Sequence, residues 1–248
     1  MKNFLALVLA LGLGVMIYLT LNNNSLFNDY GDAVIEDRVS NEYIDRSVDG
    51  NTEEVIFGES EGLESGPANT VTAIVADYRS FDTLGEVTVL FVSSLGVALL
   101  LGATKQKRYN FDFHPNFMLR TGSRALFGII LMTGIYIAIH GHLTPGGGFP
   151  GGAMIASSML LLYLADDQFR AKIKGFKMLE SIAGSLYVLI GIVGLLAASY
   201  FLENFLDTGV IGNLFSAGII PIVYVLIGLK VGSEVSGIVD NFLTEEAV

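Results

Sequence analysis

The sequence predicts an all-α integral membrane protein. It should have about six transmembrane helices, both termini cytoplasmic, and one long acidic extracytoplasmic segment. Three observations carry this. Of 248 residues, 52% are hydrophobic and only 16% charged, below the roughly 25% of a soluble domain. Six stretches are apolar enough to cross a bilayer core, which takes about 20 residues per helix. Every alternate loop is basic, as happens when one side of a membrane is cytoplasmic.

The first stretch, 4–21, follows Lys2 and leaves through Ile17-Tyr18-Leu19-Thr20-Leu21-Asn22. No small-x-small cleavage site follows, so it reads as an uncleaved anchor. The others are 84–103, 124–140, 152–165, 179–201 and 212–233. The stretch 152–165 is short and needs its flanking glycines or a thin bilayer. Lys105, Lys107, Arg108, Arg120 and Arg124 lie between the second and third stretches, and Arg170, Lys172, Lys174 and Lys177 between the fourth and fifth. Lys230 closes the sixth, and the loop 141–151 has no base. Asp166 and Asp167 read as solvated interfacial groups.

The net charge is −11, from 25 acids against 14 bases. Residues 22–70 hold twelve of the acids and two bases, Arg38 and Arg46, and so carry −10 of it. The remainder is nearly neutral, and no basic stripe exists to neutralise the phosphates of a nucleic acid. Cysteine is absent, which excludes disulfides, thiolate zinc sites and iron–sulfur clusters held by this chain. With three histidines, a transition-metal site would need unusual carboxylate help. No cofactor is expected.

Two regions are expected. Residues 1–110 form a two-helix region that includes the acidic segment, and 111–248 a four-helix region. The acidic segment is either a solvated loop or packs against a partner. The linker 104–123, with alternating aromatics, is either ordinary or lies on a surface. Glycines recur within the spans, Gly184 and Gly191 on one helix face, which suits close helix packing in lipid.

Two places break the apolar rule. In the stretch running from Val75 through Asp77, Arg79, Asp82 and Thr83 to Glu86, Asp82 and Glu86 are four apart and share a helix face, with Arg79 one turn earlier. Two readings stand: capping of the second span's N-terminus, or ion handling as a proton relay or a sodium site near Asp82 and Glu86. The second place is His140-Gly141-His142-Leu143-Thr144-Pro145-Gly146-Gly147-Gly148-Phe149-Pro150-Gly151-Gly152. Its glycines and prolines cannot continue a helix. It is either a structural turn or a site where His140 and His142 titrate near neutrality. Glu180, at the start of the fifth span, is a weaker third candidate. No nucleophile–base pair or metal motif with catalytic spacing is visible, and the residues leave three readings open: a transporter subunit, a membrane anchor for an enzyme, or a scaffold.

The His140–Gly152 motif resembles the B subunit of Mrp-type (Mnh) multisubunit sodium/proton antiporters, with Pro150 where the family pattern has Gln. The resemblance extends over about 115–236. The stretch Val75–Glu86 resembles the C-terminal part of the large A subunit, a piece that in membrane-bound hydrogenases is a small separate protein, the E subunit. The chain thus looks like a fusion of E-like and B-like pieces. The resemblance implies a subunit of a sodium/proton antiporter in the cell membrane, working beside complex-I-like large subunits and exchanging Na+ and H+. It puts Asp77, Arg79, Asp82 and Glu86 in the ion path or its support. His140, His142, Thr144, Gly146, Gly147, Gly148 and Gly151 then belong to a structural loop or a proton relay. A membrane-bound hydrogenase or related oxidoreductase carrying the same module is the alternative, and an assembly scaffold the second.

Overall fold

The computed structural model describes residues 2–21, 41, 43–44, 55–101, 106–108, 115–166, 169 and 173–246. Most of the acidic segment and the aromatic part of the linker lie outside them. The chain forms two units, Met1–Glu42 and Tyr43–Val248. The first contains α1 (Lys2–Leu21), 20 residues long, with an apolar run Ala6–Thr20.

The second unit contains five helices long and apolar enough to cross a membrane. These are α2 (Ser80–Leu101), α3 (Phe117–His140), α4 (Gly148–Ala165), α5 (Ile173–Ala197) and α6 (Ile220–Phe242). Two three-residue strands, β1 (Gln106–Arg108) and β2 (Thr244–Glu246), pair antiparallel. This sets the segment after α2 beside the segment after α6, at one end of the bundle.

α6 is the hub: α2, α4, α5 and, less extensively, α3 pack on it, while α3 also packs along α4. The α4–α6 seam is built on glycine. A Cβ on Gly148 would lie 2.5 Å from Ile227 Cβ, and one on Gly152 would lie 2.7 Å from Val231 Cβ and 2.9 Å from the Gly228 carbonyl. Across α4, a Cβ on Gly151 would meet Ala138 at 2.7 Å. Backbones this close gain dispersion contacts that lipid cannot match. The outer faces stay apolar and exposed, as with Val89, Leu99, Ile129, Met132 and Leu196.

One expectation resolves and three change. α4 starts at Gly148 and runs 18 residues, so it needs no thinned bilayer. Pro150 sits in its first turn, where the missing N–H would have no helical partner anyway. The last span is not 212–233 but Ile220–Phe242, with Pro221 in its first turn. Residues 198–219 instead form an irregular cap, with Leu202, Gly212 and Gly218 at positive φ. The apolar Ile211 and Ala217 in that cap are buried by the end of the acidic segment. Gly58 N–H donates to the Ile211 carbonyl (3.0 Å), Ile211 N–H to Ser60 (3.0 Å) and Gly62 N–H to Thr208 (3.1 Å). The described part of that segment therefore packs on its own chain. Asp166 is not solvated: it is 1% exposed, bonded by Arg124 Nη2 at 2.6 Å and flanked by Arg120 Nε at 3.5 Å. At the C-terminal end of α4 a carboxylate opposes the helix dipole, and the two guanidiniums offset this.

Candidate functional site

The ion-handling motif sits where the chain enters α2. Thr70–Thr72 begins a helix that loosens into a π-helical stretch, Ala73–Tyr78. A π turn is uncommon and frequent at functional sites. Here it carries half-buried Asp77, whose carboxylate accepts from Ser65 Oγ at 2.8 Å. The turn leaves the Val75 carbonyl to Thr83, whose hydroxyl donates to it rather than capping α2. Arg79 Nε donates to Asp82 Oδ2 at 2.7 Å. Both side chains are more than half exposed, so the pair is worth about 0–1 kcal/mol. Glu86 lies further along α2 on its exposed surface. Asp77, Glu64, Ser80, Glu203 and Asn204 line a cleft of about 590 Å3. Glu203 is committed to structure, its Oε2 accepting from Ser199 and Tyr200 N–H at 2.7 Å each.

The glycine loop is a fastening. Gly147 holds φ +131°, a region closed to most side chains. A Cβ on Gly141 would run into the Gly147 backbone, and one on Gly146 would lie 3.1 Å from Ile137. Asn69 Nδ2 donates to the Gly141 and Thr144 carbonyls at 3.1 Å each. Asn69 N–H donates to the His142 carbonyl at 3.0 Å, and Thr72 Oγ1 to Gly141 at 2.8 Å. Tyr224 Oη then donates to Thr72 Oγ1 at 3.1 Å. His140 stacks on Tyr136 with ring centroids 4.2 Å apart, and Thr144 Oγ1 donates to its carbonyl. Gly148 and Gly151 belong to the packing of α4.

His142 differs from His140. It is fully buried, with Nε2 donating to the Leu214 carbonyl at 2.8 Å and Nδ1 without a hydrogen-bond partner. Burial pushes its pKa below the ordinary 6.5; the Leu214 carbonyl opposes this and nearby His140 adds to it. The folded state thus favours the neutral ring. Below pH 6.5 the unfolded chain binds the extra proton, so stability is complete above that pH and falls as pH drops toward the folded pKa. Unfolding midpoints between pH 5 and 7.5 should show this slope, at most about 1.4 kcal/mol per unit. His142→Gln should flatten it; an unchanged slope would remove His142 as its source.

A third set of ionisable groups includes Glu180, the weaker candidate, but its Lys230 and Glu234 were not recognisable as a site from sequence. Lys230 does not close a span; it sits in the middle of α6, its side chain 10% exposed, paired with wholly buried Glu234 one turn on. Lys230 Nζ also lies 4.8 Å from the centroid of the Phe91 ring on α2, a cation–π distance. Glu180 on α5 is within electrostatic reach of both. One turn further along α5, the Lys230 stem lies beside Gly184, where an added Cβ would stand 3.5 Å from its Cδ and Cε, an ordinary contact distance. Charges at membrane depth are expensive and face protein or water. The available signal was an i, i+4 Lys–Glu spacing inside an apolar run.

Fold and site together define a polytopic membrane protein with a charge cluster inside its helix bundle. The family described as a domain related to the MnhB subunit of the Na+/H+ antiporter matches residues 118–237. The MbhE family, described as the E subunit of MBH, matches residues 39–110. A chain of the membrane-bound sulfane sulfur reductase, an archaeal respiratory membrane complex, is 42% identical, with a TM-score of 0.69 over 99% of both chains. A chain of the Mrp complex from a Dietzia species is 25% identical, with a TM-score of 0.60, over 73% of this chain and 21% of that one. The B subunit of the Na(+)/H(+) antiporter of Alkalihalophilus pseudofirmus is 38% identical over 36% of this chain and 65% of its own length. The chain carries an MnhB-related domain over residues 118–237, with an MbhE-like region over residues 39–110 ahead of it.

Proposed function

We infer that the chain is a membrane subunit of a multisubunit monovalent cation/proton antiporter module, supporting its assembly and part of its ion path. The observation that carries this is the Lys230–Glu234 pair buried inside a membrane-spanning helix, since a lipid anchor or scaffold has no use for so costly a pair. Asp77, Arg79, Asp82 and Glu86 belong to the same path at the end where α2 begins. The chain is a transporter subunit without catalytic residues of its own. Sodium is the favoured cation, and complex-I-like large subunits the favoured neighbours.

A second reading has a specific observation behind it. The end-to-end likeness to a respiratory complex chain favours a module carried by an oxidoreductase rather than a free-standing antiporter. The two readings share the ion path and differ in neighbours.

Isolation of the native complex tests both. Copurified complex-I-like subunits and cation-dependent proton movement in proteoliposomes support the first; redox subunits in the same complex select the second; neither would sink both. Asp82→Asn and Glu86→Gln are expected to slow exchange about tenfold or more with the complex intact; unchanged exchange takes them off the path. The alternation of basic loops supports a cell-membrane protein with both termini in the cytoplasm. With no native cysteine, Gly50→Cys should react with an impermeant thiol reagent in intact cells, and labelling only after lysis reverses the orientation.

A further inference from the structure

The cluster on α6 has an unused acceptor. Lys230 Nζ occupies Glu234 Oε1, while Oε2 is buried without a hydrogen-bond partner. Glu180 and Ser233 line a cleft of about 450 Å3 among α2, α5 and α6, with Ser94 and Lys177 also on its walls. Two carboxylates and one ammonium sum to −1 when ionised, so one proton makes the group neutral.

We propose that Glu234 Oε2 is a proton-binding site, loaded from the cleft through Glu180, with Lys230 as its fixed counter-charge. This rests on the antiporter reading and names the ion at one station of its path. A hydronium ion in the cleft gives a proton to the Glu180 carboxylate and leaves as water; Glu180 passes the proton to Glu234 and returns to its ionised form; Lys230 stays an ammonium throughout. A neutral Glu234 loosens its hold on Lys230, and the freed charge is left facing Glu180.

The chemistry selects a proton over a metal cation. A hard cation is held by several oxygens at once, whereas one free lone pair suffices for a proton. The ammonium beside Oε1 repels any other cation. The Ser233 and Ser236 hydroxyls donate to carbonyls of their own helix, at Leu229, Lys230 and Gly232. Among the described residues no group of three or more acidic, imidazole or thiol side chains could hold a metal. The charged neighbours are few. α5 brings Glu180 and Lys177, and α6 Lys230 itself. α2 brings Phe91 and Ser94, its carboxylates Asp82 and Glu86 lying nearer its N-terminus; α4 carries no charge, and the arginines of α3 sit in its first turns, with Asp166.

The test uses the whole complex in proteoliposomes, with a pH-sensitive dye for proton movement and infrared difference spectra across a pH step. Wild type should show the carbonyl stretch of a buried protonated carboxylic acid. Glu234→Gln should lose that band and slow proton movement about 100-fold, and Glu234→Asp should recover part of both. Glu180→Gln should slow loading about tenfold and keep the Glu234 band. Wild-type proton movement in Glu234→Gln, or survival of the band, overturns the proposal. If Glu234→Gln does not assemble, Glu180→Gln decides, because it leaves the α6 pair intact; a wild-type rate there overturns loading through the cleft. A wild-type complex that moves no cation, yet loses the band in Glu234→Gln, would end the antiporter reading and leave the proton site standing.

Discussion

Gly152→Leu is expected to separate α4 from α6 and prevent stable assembly of the chain. The new side chain begins with a Cβ 2.7 Å from Val231 Cβ and 2.9 Å from the Gly228 carbonyl. One of those neighbours is backbone, which cannot rotate away. Overpacking a core costs about 1–3 kcal/mol when side chains can adjust, and here the helices themselves must part. Gly152→Ala should cost about the upper part of that range. Gly96→Ala and Gly128→Ala meet nothing within 4 Å and should change stability by a few tenths of a kcal/mol, in the stabilising direction expected of alanine in a helix. Thermal unfolding of the four variants in detergent checks this. If Gly152→Ala unfolds with the other two, the glycine seam is not what holds α4 on α6.

Lys230→Met carries the second largest effect. Removing the ammonium leaves Glu234 buried with both oxygens uncompensated, a situation that costs about 3–5 kcal/mol in buried pairs. Protonation of Glu234 limits the loss, so it should shrink as pH falls. The double variant Lys230→Met with Glu234→Met replaces the pair by apolar side chains of similar volume and should return close to wild-type stability. A double-mutant cycle measures the coupling. If the double variant is as unstable as the single, the pair is structural, and its place in the ion path loses its support. Recovery of stability without recovery of exchange is the expected outcome.

The contrast between these regions explains what could be read from sequence. α2 to α5 were legible because their apolar runs face lipid or packed glycine on every side. α6 was misplaced by eight residues because Ile211 and Ala217 continue the hydropathy upstream of Pro221. Those residues are apolar to pack against the chain's own residues 58–66, a contact between segments about 150 positions apart that no local pattern encodes. The same error made Lys230 an interfacial base and hid its partner. Asp82 and Arg79 were correctly placed one turn apart. The π turn that holds Asp77 depends on where Thr83 finds a carbonyl, and residue spacing does not report that.

The seam made by Asn69, Thr72 and Tyr224 has a consequence for heredity as well as for shape. It ties the MbhE-like side of the chain to the loop of the antiporter-related domain through a handful of neutral hydrogen bonds, each worth about 1 kcal/mol. These bonds act beside the packing of α2 on α6 and of residues 58–66 on the cap. Within one chain the two parts are already held at high effective concentration, and they are synthesised in equal number from one reading frame.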